Sequence, residues 1–202
     1  MRSVLLWLLV FFCGAIVTAM PAQSEIGSCQ PAEFFVTDNA DPLFEPQAAV
    51  TTAQGGVTVT GSTPLDGVYW SHAQQRITFE RSREFHLCGA DEAALHVAAE
   101  ALRRQFGQES VLSFDYLPQD APEENAIIIT VPDADIECLG AALAADPAAR
   151  TRLRGASVTV TDHTLILIAG NDDRDVARRL ITDAGGNWNA AGIAYGRSEF
   201  VE

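Results

Sequence analysis

The sequence predicts an α+β fold, an antiparallel or mixed sheet with helices packed on one face. Three observations predict it. Short apolar segments alternate in and out at strand spacing, as in Glu84–Leu87, where Phe85 and Leu87 share a side. Asp91 to Phe106 carries Leu95, Ala98, Ala99, Leu102 and Phe106 at helical spacing, with Glu92, His96, Glu100 and Arg103 opposite. From Glu84 to Ala169 the elements read strand, helix, strand, strand, helix, strand, and a sheet covered by helices is the natural layered solution for that order.

Before that fold comes a leader. Arg2 supplies a positive start, and Val4 to Val17 is an unbroken run of apolar and small residues. The run is 14 residues long, short against the ~20 needed to span a bilayer. Residues 1–22 therefore read as a secretory signal peptide, with cleavage after Ala19 or Ala22; an uncleaved anchor is the alternative. Cys13 lacks the small residues of a lipid-attachment box, since Val10-Phe11-Phe12 precede it. The expected localisation is exported, periplasmic or secreted.

Residues 23–66 hold Pro31, Pro42 and Pro46, and isolated apolar pieces at Phe34-Phe35-Val36 and Leu43-Phe44. They read as an extended or partly disordered N-terminal arm, with one short strand at Val57–Thr60. The α+β domain is expected over 67–202. Its opening strands, Val68–Trp70 and Arg76–Phe79, pair around a turn at Ser71–Gln75. Asp91 and Glu92 suit the start of the first helix, and Gly107 stops it.

Val111 to Leu117 alternates as a strand, and Ile127–Val131 is apolar on both faces, as a central strand would be. A second helix opens at Pro132-Asp133 and runs to about Ala145, with another helical turn at 148–153. Val158–Ala169 reads as one long strand or as a hairpin turning at Asp162-His163. A third helix, Asp173–Ala184, places Val176, Leu180 and Ala184 inward, and Ile193-Ala194-Tyr195 begins a last strand. The order from Glu84 to Ala169 is the split β-α-β order of ferredoxin-like sandwiches.

Charge narrows the function. The 13 basic residues are all arginines, against 27 Asp and Glu, for a net charge of −14. Such a surface repels phosphate backbones, so no nucleic-acid partner is expected.

An internal repeat runs at an offset of 81, with Thr78 matching Thr159, Gly89 matching Gly170, and Asp91 matching Asp172. The repeated units are 77–117 and 158–202. Leu87-Cys88-Gly89 with the helix at 91–106, and Ile168-Ala169-Gly170 with the helix at 173–184, resemble the BON family of small periplasmic and outer-membrane-associated modules. The resemblance covers about 110 residues. It implies a BON-like envelope module that binds another envelope protein, a lipid or a cell-wall component, without catalysis. Arg81-Ser82-Arg83 departs from the pattern, standing where a tight turn belongs.

No residue is assigned a catalytic, cofactor-binding or metal-binding role from the sequence. His72, His86, His96 and His163 stand in neither HxH nor HExxH spacing. His86 faces away from Phe85 and Leu87, toward a half-buried position or a cleft. His96 reads as a solvated helix residue and His163 as a turn residue. Asn171-Asp172-Asp173-Arg174-Asp175 lacks the ligand series and closing Glu of a calcium loop and reads as a helix start. The alternative to a binding module is a small secreted hydrolase whose residues meet only in the fold; a deep pocket uniting His86, Asp115 or Tyr116 favours it, and a free sheet edge favours the binder.

Cys29, Cys88 and Cys138 survive removal of the leader, so one disulfide forms and one thiol is left over. In the split β-α-β order the first and third strands are parallel neighbours. That brings Cys88, ending the first strand, near Cys138 in the opening turns of the second helix. Cys88–Cys138 is the expected pair, within the ~7 Å Cα reach of a disulfide. Cys29 is then free or joined to a partner chain; the rival pairing is Cys29–Cys88.

Overall fold

The computed structural model describes residues 31–88, 91–108, 111–115, 125–153 and 155–201. The leader, Cys29, Gly89 and Tyr116 lie outside the described residues. The chain runs β1 (Pro31–Thr37), α1 (Phe44–Gln54), β2 (Thr58–Ser71), β3 (Arg76–Cys88), α2 (Glu92–Phe106) and β4 (Val111–Asp115). It continues β5 (Ala126–Val131), α3 (Ile136–Ala145), α4 (Pro147–Arg152), β6 (Gly155–Thr159), β7 (Leu165–Gly170), α5 (Arg174–Asp183) and β8 (Gly192–Val201).

Among the described residues the eight strands close into a barrel in the order β1-β3-β2-β6-β7-β5-β8-β4. Every pairing in it is antiparallel. The ring falls into two halves of the same plan. Strands β4-β1-β3-β2 form one and β8-β5-β7-β6 the other, each built from a strand, helix, strand, strand, helix, strand succession, with α4 added after α3 in the second. The halves join edge to edge. Leu65–Tyr69 of β2 pair with Thr159–Gly155 of β6, and Val111–Asp115 of β4 pair with Val201–Arg197 of β8.

The helices cover the outer face. Ala32, Phe34, Val36, Phe85 and Leu87 are buried with Leu95, Ala98, Ala99 and Leu102 of α2 and with Phe44 and Ala48 of α1. In the other half Ile127, Ile129, Val131, Leu165 and Leu167 meet Leu139 and Leu143 of α3 and Val176, Leu180 and Ile181 of α5. The remaining strand face turns into the barrel, where Phe35, Leu65, Ile128 and Ile166 form a separate apolar cluster.

Local chemistry sets the element ends. Asp91 caps α2, its carboxylate accepting from Ala94 N–H, and Gly107 closes it at φ +62° with its N–H donating to the Arg103 carbonyl. Asp135 and Asp146 cap α3 and α4 in the same way. The β2–β3 hairpin turns at 72–75 as expected, and Val158–Ala169 is the hairpin β6–β7 and not one strand. Asn171–Asp173 is a single 3-10 turn whose Asp173 pairs with Arg152 instead of capping α5 through its side chain.

Three expectations are corrected. Residues 31–66 are not an arm. They supply β1, α1 and most of β2, and β1 lies between β3 and β4. The barrel therefore cannot close from 67–202 alone. The repeat holds for β3–α2 and β7–α5, but Arg81–Arg83 makes no turn, because β3 runs unbroken from Arg76 to Cys88.

The third correction is the disulfide. Cys88 is disulfide-bonded, whereas Cys138 is an exposed free thiol, so Cys88–Cys138 is not the pair. The split β-α-β order would place the strand of Cys88 beside β5. In the fold β3 pairs with β1 and β2, while β5 sits in the other half between β7 and β8. α3 instead reaches the far end of β3, where Gly140 abuts the Phe79 ring. Phe79 is nine residues from Cys88, about 30 Å along a strand.

Candidate functional site

Because Phe85 and Leu87 point outward under the helices, Glu84 and His86 point into the barrel. The same alternation on β1 turns Phe34 and Val36 outward and Glu33 and Phe35 inward. Register then brings the groups together, with Glu33 opposite His86 and Phe35 opposite Glu84. On β2 the pairing shifts between Val59 and Gly61, a bulge at Thr60. Val59 packs outward, and the extra residue restores Gly61, Thr63 and Leu65 to the inner face. Thr63 thus stands opposite Glu84. Gly61 lies beside the imidazole; a Cβ there would stand in ordinary contact, 3.7 Å from His86 Cδ2.

The result is a buried carboxylate–imidazole cluster. His86 Nδ1 lies 3.2 Å from Glu33 Oε1, and Nε2 lies 2.9 Å from Thr63 Oγ1 and 3.9 Å from Glu84 Oε2. The tautomer with its proton on Nδ1 donates to Glu33 and leaves Nε2 to accept from the Thr63 hydroxyl. Glu33 and Glu84 are 7% and 5% exposed, while the His86 side chain keeps 37% of its surface. Burial pushes the Glu84 carboxyl up to about 9, helped by its hydrogen bond to Glu33 and the Glu33 charge. Glu84 is therefore a neutral acid at neutral pH, beside a carboxylate and an imidazole.

The barrel also holds a cavity of about 740 Å³. Phe35, Ile166 and Ile168 give it an apolar wall, and Tyr69, Thr78, Glu80 and Ser157 a polar one; exposed Gln74 and Arg152 stand at its rim. Tyr69 Oη is 3.4 Å from Ser157 Oγ. Phe35, lining the cavity, is the cross-strand neighbour of Glu84, so the cluster and the cavity share a wall.

Of the histidines singled out in the sequence, only His86 reaches the barrel interior. His72 lies exposed in the β2–β3 turn, and His163 lies exposed in the β6–β7 turn at φ +51°. His96, expected in solvent, pairs with Glu199 of β8 at 2.8 Å. Asp115 lies in β4, and Tyr116 lies outside the described residues. Glu33, Thr63 and Glu84 were not foreseen; a glycine inside a strand at Gly61 was the one sign of the bulge that turns Thr63 inward.

No protein-family model matches the chain, and no curated protein matches it. Among solved structures it is similar to one described as a glycine cleavage system transcriptional repressor, at 11% identity and a TM-score of 0.28, over 85% of this chain and 96% of that one. It is also similar to an anthrone oxidase-like protein, at 11% identity and a TM-score of 0.26, over 85% of this chain and 92% of that one. At those scores neither likeness says what this chain does.

Proposed function

We propose that this protein is an exported, disulfide-bonded α+β barrel that binds a small, partly polar organic molecule inside its barrel. The observation that carries the reading is the cavity of about 740 Å³ with one apolar and one polar wall. Small-molecule sites run to ~300–1,000 Å³ and combine apolar lining with a few placed polar groups. The bonded state of Cys88 supports an oxidising compartment and hence export. The closed ring leaves only partial strand edges among the described residues, as at Thr58–Thr63 of β2 and Arg76–Glu80 of β3, which weighs against capture of a protein partner by a full added strand. Of the envelope partners that the BON-like units imply, a lipid or a cell-wall fragment fits an interior cavity better than a protein does.

The test is calorimetric titration of the mature protein, refolded from denaturant to strip carried ligand. The titrants are a lysophospholipid and a soluble peptidoglycan fragment. Saturable binding of one of them, lost when Ser157→Leu fills the cavity, is the expected result. Binding of neither, or binding unaffected by the filled cavity, overturns it.

A second reading, an exported hydrolase, is favoured by the Thr63–His86–Glu33 chain of hydrogen bonds, which has the nucleophile, base and orienting-acid order of a hydrolytic triad. Turnover of a chromogenic ester that His86→Ala abolishes would support it, and equal turnover by that variant would remove it.

A further inference from the structure

We propose that Glu33, Glu84 and His86 form a binding site for a divalent transition-metal ion, zinc or manganese(II) in class. Each residue offers one ligand atom, and all three atoms lie within 4.8 Å of one another. Ligands ~2.0–2.2 Å from a common ion stand roughly 3.3 Å apart in tetrahedral geometry. Only one ring nitrogen can serve a given ion. Nε2 stands 3.9 Å from Glu84 Oε2, while the 3.2 Å contact of Glu33 is to Nδ1, so Glu33 would turn toward Nε2 to complete the set within its 4.8 Å span. One imidazole with two carboxylates suits zinc or manganese(II); calcium would want six to eight oxygens.

Charge and access point the same way. Both carboxyl groups are more than nine-tenths buried. Ionised together, they would leave net negative charge in the barrel even opposite an imidazolium, and burying unbalanced charge is costly. A shared proton relieves that charge, and so does a divalent ion. The arginines of the same strand do not serve, because Arg81 and Arg83 bind Asp38 and Glu45 instead. Thr63 Oγ1, already on the imidazole, can supply a further oxygen or hold the ring in place. The partly exposed edge of His86 gives an ion its way in. The metal site does not depend on what fills the cavity, but it uses the His86 and Glu33 of the hydrolase reading and so competes with that reading.

A second cluster provides the control. Glu92, His96 and Glu199 also lie close together, but at the surface, with Glu92 already paired to Arg197. The experiment treats the mature, disulfide-intact protein with a chelator and titrates it with zinc by calorimetry. Cobalt(II) then serves as a spectroscopic probe of the ligands. The expected result is one equivalent bound in wild type and in His96→Ala. Affinity should fall by about 100-fold or more in Glu84→Gln and His86→Ala, at least the loss that removing an outer partner of a metal ligand causes. Glu84→Gln is nearly isosteric, and its near-ultraviolet circular dichroism, compared with wild type, reports its fold if His86→Ala fails to fold. Failure of wild type to bind one equivalent overturns the proposal. So does unchanged binding in a folded Glu84→Gln, or loss of binding in His96→Ala.

Discussion

The Tyr69 ring occupies the space that a side chain at Gly155 would need. A Cβ added to Gly155 of β6 would collide with the ring on the neighbouring strand, and one added to Gly67 would stand 2.5 Å from Tyr69 Cε2. Two glycines thus let one aromatic residue sit at the seam where β2 and β6 join the halves, against the cavity wall.

Gly155→Ala is therefore expected to destabilise the protein by roughly 1–3 kcal/mol, the usual cost of overpacking. Tyr69→Ala, combined with it, should remove the ring's part of the clash, leaving the 2.8 Å approach to the Val68 carbonyl, and give a less than additive loss. Urea denaturation of the two single variants and the double variant checks this. An additive outcome would show that Gly155 and Tyr69 do not compete for space.

Much of this barrel was legible locally, and its closure was not. The cap at Asp91, the Gly107 stop and the buried face of α2 stand as the spacing predicts. The repeat at an offset of 81 picked out β3–α2 and β7–α5, which hold equivalent places in the two halves. The first half was missed at its start because α1 lacks a readable apolar stripe. Its buried residues are Phe44, Ala48 and Thr52, one of them polar, and Pro46 stands in its first turn, where a missing N–H does no harm.

Phe34-Phe35-Val36 looked too short for a strand because Glu33 and Thr37 face into the barrel and break the apolar run. The β2–β6 and β4–β8 pairings join residues about 90 positions apart, which no local pattern encodes. The site shares that obscurity. Glu33 and His86 meet through register, and Thr63 joins them through a bulge.

The Glu84 carboxyl gives stability a particular pH dependence. Folded, it keeps its proton up to about 9, through burial first and then through Glu33. Unfolded, a glutamate loses its proton near ~4.3. Between those values the folded state binds more protons than the unfolded state. Stability from this group is therefore whole below the window and falls as pH rises through it, by at most ~1.4 kcal/mol per pH unit. Glu33, His86 and Thr63 are the groups facing it. Glu84→Gln, whose amide can still donate to Glu33, should lose this slope. Thermal unfolding of both proteins at about pH 5 and about pH 8.5, with chelator present, compares the two slopes; equal slopes would show that Glu84 ionises normally.

Cys138 is exposed, yet its thiol is held protonated. It hydrogen-bonds the Asp135 carboxylate, whose charge adds to the effect and raises the thiol above its ordinary value. Asp135→Asn keeps a good helix cap but removes that charge. Iodoacetamide should then alkylate Cys138 roughly two- to fivefold faster near neutral pH, since more thiolate forms and its lower basicity offsets only part of the gain. Alkylation timed by mass spectrometry gives the ratio. An unchanged rate would mean that exposure alone sets its reactivity.

The linkage of Cys88 is the remaining test of how the chain begins. Cys88 is bonded and Cys138 is free. Cys13 belongs to the segment read as a leader, so on that reading Cys29 is the expected partner. Position supports the pairing, because Cys88 stands opposite Pro31 at the start of β1, two residues after Cys29. The bond would close a loop of about 60 residues and stabilise the fold by ~4 kcal/mol in the chain-entropy model. It would also fasten β1, which carries Glu33, to the end of β3, which carries Glu84 and His86. Peptide mapping without reduction should find Cys29 joined to Cys88 and Cys138 alkylated. Cys29→Ser should cost several kcal/mol and weaken zinc binding together with stability. A Cys29→Ser protein of unchanged stability would show that register alone holds β1 against β3.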